Sequence, residues 1–514
     1  MWSSPLCRTS TPLAPEIAET HSAVVILLGD RAYKVKKPLD LGFLDFTTVE
    51  SRDAACRREL ELNQRLAPDV YLGVAGIHGD DGEVCDSILV MRRLPADHRL
   101  STCLDRGEDV SDALHRIAGD IAALHERSTR NPNLEAVGRR EVVASRWRDG
   151  FAQLAAVPAG IVEADRVTRI ETLAIEYLDG REPLFESRIE HGQIVDGHGD
   201  LLADDIFVLD DGPRIIDCLD FDDELRWGDV VADIAFLAMD LERLGHPDAA
   251  LTFIEEYRTR SGRTWPTSLL HHYIAYRAQV RAKVAAVRIA QEGDSASAAR
   301  ATRELQVLVE VCLHHLEAAR VRLVLVGGTP GTGKSTVAAA IGEALGATVV
   351  RTDEVRREVR GEMPNRDGNP YSEAAVAATY NESLRRAAEL LSLGESVIID
   401  ATWSTESHRR LARATAAAAS VPLSELRCVA PAEICDERIT ARLAIGTDPS
   451  EATPDVAAAI RERFEPWPNS VAIATDTTVT QACQAALDEI TAEAIIADEV
   501  TATDEPPSGN PVDS

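Results

Sequence analysis

The run Gly328-Thr329-Pro330-Gly331-Thr332-Gly333-Lys334-Ser335-Thr336 has the spacing G-x-x-x-x-G-K-[ST] from Gly328 to Ser335. Each fixed residue type has a task on a polyphosphate. Glycines let backbone N–H groups close around the oxygens, a lysine meets the β and γ oxygens, and a hydroxyl holds Mg²⁺. The run therefore reads as a binding loop for ATP with Mg²⁺. A glycine turn in any α/β unit is the plainer alternative. Against it stand the β-forming run Leu323 to Val326 ahead of the loop and the helix-forming segment behind it, which aims its N-terminus at the anion.

A second concentration of chemistry spans Asp196-Gly197-His198-Gly199-Asp200, Asp204-Asp205 and Asp217-Cys218-Leu219-Asp220. Phosphoryl transfer needs a loop that carries a proton acceptor and a metal ligand on short strands, closed by a hairpin that ends in another metal carboxylate. Carboxylates this dense also occur on solvated surfaces, but Ile206-Phe207-Val208 and Ile215-Ile216 flank them with strands of buried character. Far upstream, Lys34 and Lys36 share one face of a strand by its period of two, an odd choice for a plain core face, with solvated edge lysines as the alternative. Glu59 flanks the apolar face of the helix that follows, where it can pair with a strand lysine.

The elements that must position these groups fall into two patterns. Before residue 96 the chain reads as a hairpin over 23–38 around Gly29-Asp30, a helix over 49–66, and strands over 70–77 and 84–94. Helical spacing then takes over at 109–127, 140–156 and 162–178, and again from 229 to 319. Beyond Ala319 strands and helices alternate, which predicts a parallel sheet. Its second strand, 348–351, ends in Thr352-Asp353, at the carboxyl edge where ligands bind in such sheets. The third, 396–403, runs into Asp400, which suits a water-mediated Mg²⁺ ligand. A helix after the fourth, 423–429, carries Arg438 and Arg442 on one face, either salt-bridged at the surface or closing over the phosphates.

The first half resembles the aminoglycoside phosphotransferase-like kinases, whose loop reads H-G-D-x-x-x-x-N, whose metal strand reads I-D, and whose supporting helix reads D-x-A. His198, Gly199 and Asp200 match the first motif with Asp205 on its asparagine position, Ile216-Asp217 the second, and Asp233-Ile234-Ala235 the third. The resemblance implies Asp200 as the base that takes the substrate hydroxyl proton and Asp205 and Asp217 as Mg²⁺ ligands. It also implies Lys34 or Lys36 on the ATP phosphates, paired with Glu59. Asp205 departs from the family by adding a negative charge, and no glycine-rich flap of the G-x-G-x-x-G kind precedes Ala23.

Residues 321–494 resemble the small P-loop kinases of the gluconokinase, polynucleotide-kinase and zeta-toxin type, related to the AAA-family ATPases. The match rests on the phosphate loop, Asp353-x-x-Arg356, Gly394-x-x-Val397-Ile398-Ile399-Asp400-Ala401-Thr402 and the helix of Arg438 and Arg442. By that resemblance Asp353 contacts the acceptor hydroxyl and Arg356 its polar groups. Both halves together look like two-domain proteins of actinobacteria and other bacteria. The fold expected is a protein-kinase-like bilobal domain of α+β class at 1–318, with a small lobe at about 20–95 and a helical lobe at 96–318. An α/β P-loop NTPase domain with a parallel sheet follows at 319–495, then a disordered tail at 496–514.

Composition bounds the rest. A chain of 514 residues with 45% apolar content supports about two to four globular domains. Lys+Arg 54 against Asp+Glu 85 gives a net charge of −31, which repels nucleic acid and anionic membranes, so neither partner is expected. The 9 cysteines lack metal-site spacing and read as reduced thiols. With no signal-peptide core and no long apolar run, the expected compartment is the cytoplasm. The expected function is an ATP-binding phosphotransferase with two nucleotide sites. Its acceptor would be a small-molecule hydroxyl, on a sugar, aminoglycoside, nucleoside or nucleotide-sugar. The other reading is a nucleotide-sensing regulator, with a degenerate first half and an ATP-hydrolysing second half.

Overall fold

The computed structural model describes residues 15–19, 22–40, 45–154, 161–292, 295–362, 372–445 and 452–501. The chain divides into two compact units. One takes Met1–Glu171, Glu186–Trp265 and His272–His315; the other takes Thr172–Phe185, Pro266–His271 and Leu316–Ser514.

The first unit opens with an antiparallel sheet of β1 (Glu16–Glu19), β2 (Ala23–Leu28), β3 (Arg31–Lys36), β4 (Tyr71–His78) and β5 (Val84–Arg92), in the order β1-β2-β3-β5-β4. Gly29 at φ 60° supplies the turn between β2 and β3, a left-handed position that glycine fills without strain. β1 was not foreseen from sequence, because its exposed, acid-flanked residues lack an apolar face. The helix Val49–Asn63 is capped by the Thr48 hydroxyl, which accepts from Ser51 N–H, and it buries Cys56, Glu59, Leu62 and Asn63.

Behind this sheet the unit is helical, with short strands β6 (Ile194–Asp196), β7 (Ile206–Leu209), β8 (Gly212–Ile215) and β9 (Trp227–Asp229) among the helices. β7 and β8 form an antiparallel hairpin, and β6 pairs with β9. The helix Val230–Arg243 is buried from Val230 through Leu241, with Asp233 and Asp240 among its apolar residues, and serves as a central post.

The second unit is built on a parallel sheet of β10 (Leu323–Gly327), β11 (Thr348–Arg351), β12 (Val397–Asp400), β13 (Leu423–Val429) and β14 (Val471–Ala474), in the order β11-β12-β10-β13-β14. β10 and β12 are buried throughout, as runs of Val, Ile and Leu covered on both faces must be. Their register sets Val326 beside Asp400, which brings the end of β12 level with the start of the phosphate loop.

Two expectations are corrected here. Asp353 does not end the second strand: β11 stops at Arg351, and Asp353 lies in the first turn of the helix Thr352–Glu362, where a carboxylate complements the helix dipole. The helix Val479–Thr501 carries the chain beyond residue 496, where a tail was expected, because Ala and Glu there are strong helix formers. Residues 502–514 and Cys7 lie outside the described residues. Every cysteine among the described residues is a free thiol, and no described helix is long and apolar enough to cross a membrane.

Ile398 on β12 is fully buried in a cluster with Val326, Val337 and Ile341. Ile398→Ala should therefore destabilise the second unit by about 2–5 kcal/mol, read from denaturant unfolding of the two proteins. A loss below about 1 kcal/mol would show that this part of the core closes over the cavity.

Candidate functional site

In the first unit the alternation of β3 carries both lysines toward the helix Val49–Asn63, and both reach one carboxylate. Lys34 Nζ lies 2.7 Å from Glu59 Oε1 and 2.9 Å from Asp217 Oδ1. Lys36 Nζ lies 2.8 Å from Glu59 Oε2 and 2.9 Å from Asp220 Oδ2. Burial alone would push the Glu59 carboxyl up, yet the two ammonium groups hold it below its ordinary value. Lys34 also holds Asp217 low. Of the two lysines, Lys34 is the one in contact with Asp217.

The backbone around Asp217 is strained and held by two side chains. Its φ of 63° is left-handed, a strained conformation for a residue with a Cβ. Its N–H donates to Tyr71 Oη at 3.1 Å, and the next N–H, of Cys218, donates to Asn63 Oδ1 at 2.9 Å. Asn63 in turn donates from Nδ2 to the Glu59 carbonyl at 2.9 Å. One asparagine thus joins the helix of Glu59 to the loop of Asp217.

The loop before Asp200 hangs on Asp233 in the central post. The Asp233 carboxylate accepts the N–H groups of His198 at 2.9 Å and Gly199 at 2.8 Å, and His125 Nε2 lies 2.9 Å from the same group. A Cβ at residue 197 would come within 2.5 Å of Asp233 Oδ2, so only glycine permits this approach. Burial opposes the Asp233 charge, but the His125 hydrogen bond and charge hold its pKa far below the usual range.

Asp200 has no hydrogen bond or ion pair among the described residues. Desolvation pushes its carboxyl up to about 6, opposed by the Arg281 charge, aided by Asp217 and opposed again by Arg277. Burial, and then the charges of Asp217 and Asp200, push Asp205 well above the ordinary carboxylate range. The structure therefore gathers Asp200, Asp205 and Asp217 into one electrostatic site, with Lys34, Lys36 and Glu59 beside Asp217.

In the second unit the phosphate loop leads into the helix Lys334–Leu345, with Gly333 at φ 78° as its N-cap. Gly331 has φ 87°, and a Cβ there would meet the Cys435 carbonyl at 2.5 Å, so glycine is required on both counts. Lys334, Ser335, Thr336, Arg438, Arg442 and Thr475 line a cleft of about 330 Å³ with Gly331 and Gly333. Arg438 donates to the carbonyls of Thr475 at 2.7 Å and Gly331 at 3.4 Å, and Arg442 to that of Ala452 at 3.2 Å. Among the described residues neither arginine pairs with a carboxylate, so both charges are left to the cleft.

Asp400 is buried, and its Oδ1 has no partner. Burial pushes its pKa up, opposed by Lys334 and by the Ser335 hydroxyl. Among the described residues no cluster of three or more His, Cys, Asp or Glu makes a metal site by itself. A magnesium ion delivered with a nucleotide needs only one or two carboxylates, since phosphates and waters fill its other positions, and the open Asp400 oxygen beside Ser335 fits that demand. Asp353 and Arg356 form an ion pair at 2.6 Å. Nearby, Trp403 N–H donates to Tyr380 Oη at 3.0 Å, and Tyr380 stacks on His408 with ring centroids 3.9 Å apart.

Asn63, Tyr71, Asp220, Thr475, Tyr380 and Trp403 were not singled out from sequence. Asn63 follows Glu59 by one helical turn and Asp220 follows Asp217 by one short loop, so their spacing held a faint signal. Thr475 and Tyr380 come from elements with no motif.

A sequence model of the phosphotransferase enzyme family matches residues 32–269, and one of an AAA domain matches residues 323–467. An uncharacterized protein of Mycobacterium tuberculosis is 46% identical over 458 residues, covering 88% of this chain and 90% of its own length; one of Mycobacterium bovis matches to the same extent. Among solved structures, a choline/ethanolamine kinase family protein from Mesorhizobium loti covers 60% of this chain and 94% of its own at 16% identity, with a TM-score of 0.37. A gluconokinase from Sinorhizobium meliloti covers 36% and 98% at 19% identity, with a TM-score of 0.28.

A carboxyl pushed up to about 6 sets a pH dependence for any proton it must accept at Asp200. Protonated Asp200 cannot act as a base, so turnover at the first site should be full above its pKa and fall about tenfold per unit below it. ADP release followed from acid to neutral pH, in protein carrying Lys334→Ala to silence the second site, measures this. A profile flat down to pH 4.5 would remove Asp200 from the proton transfer.

Proposed function

The chain belongs to the family of these mycobacterial proteins, in which a phosphotransferase-family domain precedes a P-loop AAA domain, and from that premise we propose that it is an ATP-dependent kinase with two nucleotide sites. Each site transfers a γ-phosphoryl group to a hydroxyl of a small molecule. The observation that carries the reading is the Lys34–Glu59 ion pair locked onto Asp217, with an unbonded Asp200 in the same site.

At the first site Lys34 meets the nucleotide phosphates, while Glu59 and Lys36 fix its position. Asp200 takes the proton of the acceptor hydroxyl as that oxygen bonds to the γ-phosphorus, and the bond to the ADP oxygen breaks. Asp217 and Asp205 are the residues that would hold Mg²⁺, which when bound neutralises the charge on the β and γ oxygens. Asp205 differs from the asparagine expected there, but its burial and its carboxylate neighbours push its carboxyl well upward, toward the uncharged form that resembles an asparagine. At the second site the amides of residues 328–336 and Lys334 receive the phosphates, and Ser335 with Asp400 would hold Mg²⁺. Arg438 and Arg442 face the nucleotide, and Asp353 and Arg356 face the acceptor. The acceptor class at the second site is a sugar, nucleoside or nucleotide-sugar hydroxyl.

The regulator reading draws on one observation, the crowding of Asp205 with Asp200 and Asp217. Asp205→Asn separates the two: in a working kinase it preserves or raises turnover, with Asp200→Asn costing about 10²- to 10⁴-fold. ADP production insensitive to both Asp200 and Asp217, again with Lys334→Ala, would leave the regulator.

Calorimetric titration of the full chain with ATP and Mg²⁺ should give two sites, falling to one in Lys334→Ala. Unchanged stoichiometry would sink the second site. Asp353→Asn should keep both binding events and abolish only the transfer that depends on Lys334.

A further inference from the structure

Two arginines, Arg281 and Arg277, act on Asp200 in a chain whose net charge is −31. Arg277 and Arg281 stand one turn apart on the helix Thr267–Glu292, so they share a face. Arg277 is only 8% exposed. Its Nε donates to the Ala232 carbonyl at 2.8 Å, next to the Asp233 clamp, and its guanidinium lies 4.7 Å from the Phe236 ring centroid. Among the described residues no carboxylate pairs with it. Arg281 has only Glu304, at 3.8 Å, and Glu304 is shared with Arg243 at 3.9 Å and Arg288 at 3.8 Å. The Arg281 Nε is buried without a partner. Arg146, on the helix Arg140–Leu154, adds another positive charge near Arg277.

Uncompensated guanidinium groups held in place by packing are costly unless they serve a charge that is not yet there. The catalytic carboxylate is not that charge, since neither arginine bonds to Asp200. An acceptor whose hydroxyl meets Asp200 comes under the charge of both arginines. We infer that the first site takes an anionic acceptor, a small hydroxyl compound carrying a phosphate or carboxylate that Arg281 and Arg277 bind while its hydroxyl faces Asp200. Cationic acceptors such as aminoglycosides or amino alcohols would meet repulsion from the same arginines. The inference rests on Asp200 being the base of the first site.

The test uses full-length protein with Lys334→Ala and four hexoses matched in size: glucose, glucosamine, glucuronate and glucose 6-phosphate. Asp200-dependent ADP release is expected with an anionic member, at a KM at least about tenfold below that of the neutral and cationic ones. Arg281→Gln should raise that KM about tenfold or more and leave kcat within about threefold, while Arg281→Lys restores part of it. Arg277→Gln is a secondary variant, because burial makes its loss a cost to folding as well. Asp200-dependent turnover that prefers glucose or glucosamine, or an anion KM unmoved by Arg281→Gln, overturns the inference and leaves the kinase standing. If no hexose gives Asp200-dependent turnover, the two are separated by calorimetric titration with glucose 6-phosphate and with inorganic phosphate. Binding that Arg281→Gln weakens supports the anion site without the kinase; no binding that depends on Arg281 removes it.

Discussion

A carboxylate with 1% of its surface exposed keeps its charge only if cations stand against it, and Glu59 has two, at 2.7 and 2.8 Å. The first unit is arranged around that requirement. β3 must present Lys34 and Lys36 on one face, the helix Val49–Asn63 must bring Glu59 to the middle of the sheet, and the loop after β8 must supply Asp217 and Asp220 to the outer sides of the lysines. Two cations against three carboxylates leave the network with one negative charge in excess. Removing either lysine leaves Glu59 with one cation and takes the partner from Asp217 or Asp220, which ties the pair to folding as well as to chemistry.

The same network explains what could and could not be read from residues alone. The loop of His198 to Asp205 and the run of Gly328 to Thr336 were legible because their working groups are contiguous and their spacing is dictated by one short piece of backbone. Lys34 and Lys36 could not be told apart, since a strand's period of two gives them the same face and both meet Glu59. Their outer contacts separate them, and those come from residues far along the chain. Asn63 and Tyr71 were illegible for a related reason. Their side chains bond to backbone N–H groups of Cys218 and Asp217, and a backbone partner leaves no trace in residue type. Asp353 falls in the first turn of a helix and not at a strand end, beside the Thr352 hydroxyl that donates to the Asp400 carbonyl at 3.0 Å.

In the second unit the constraint is space. Gly331 lies against the Cys435 carbonyl, and a Cβ at Gly327 would come within 2.3 Å of the Trp467 ring. Trp467 also donates to Glu425, whose carboxylate is held by Arg413 at 2.6 Å. The start of the phosphate loop is thus pressed between β10 and a fixed indole, which accounts for the demand for glycines better than flexibility does. β14 and the helix Val479–Thr501 complete this packing through Ile473, Ala482, Ala486 and Ile490. Those small and alternating residues carry little signal in sequence, since alanine suits a helix surface as well as a core.

The bond from Cys218 N–H to Asn63, returned by Asn63 to the Glu59 carbonyl, works as a strut between the helix and the loop that carries Asp217. Asn63 is 1% exposed, so swinging the helix outward would strand buried polar groups at about 1–3 kcal/mol each, besides parting Lys34 from Glu59. Control by tilting that helix is therefore closed to this protein. The helix and the loop of Asp217 keep their places together or lose them together.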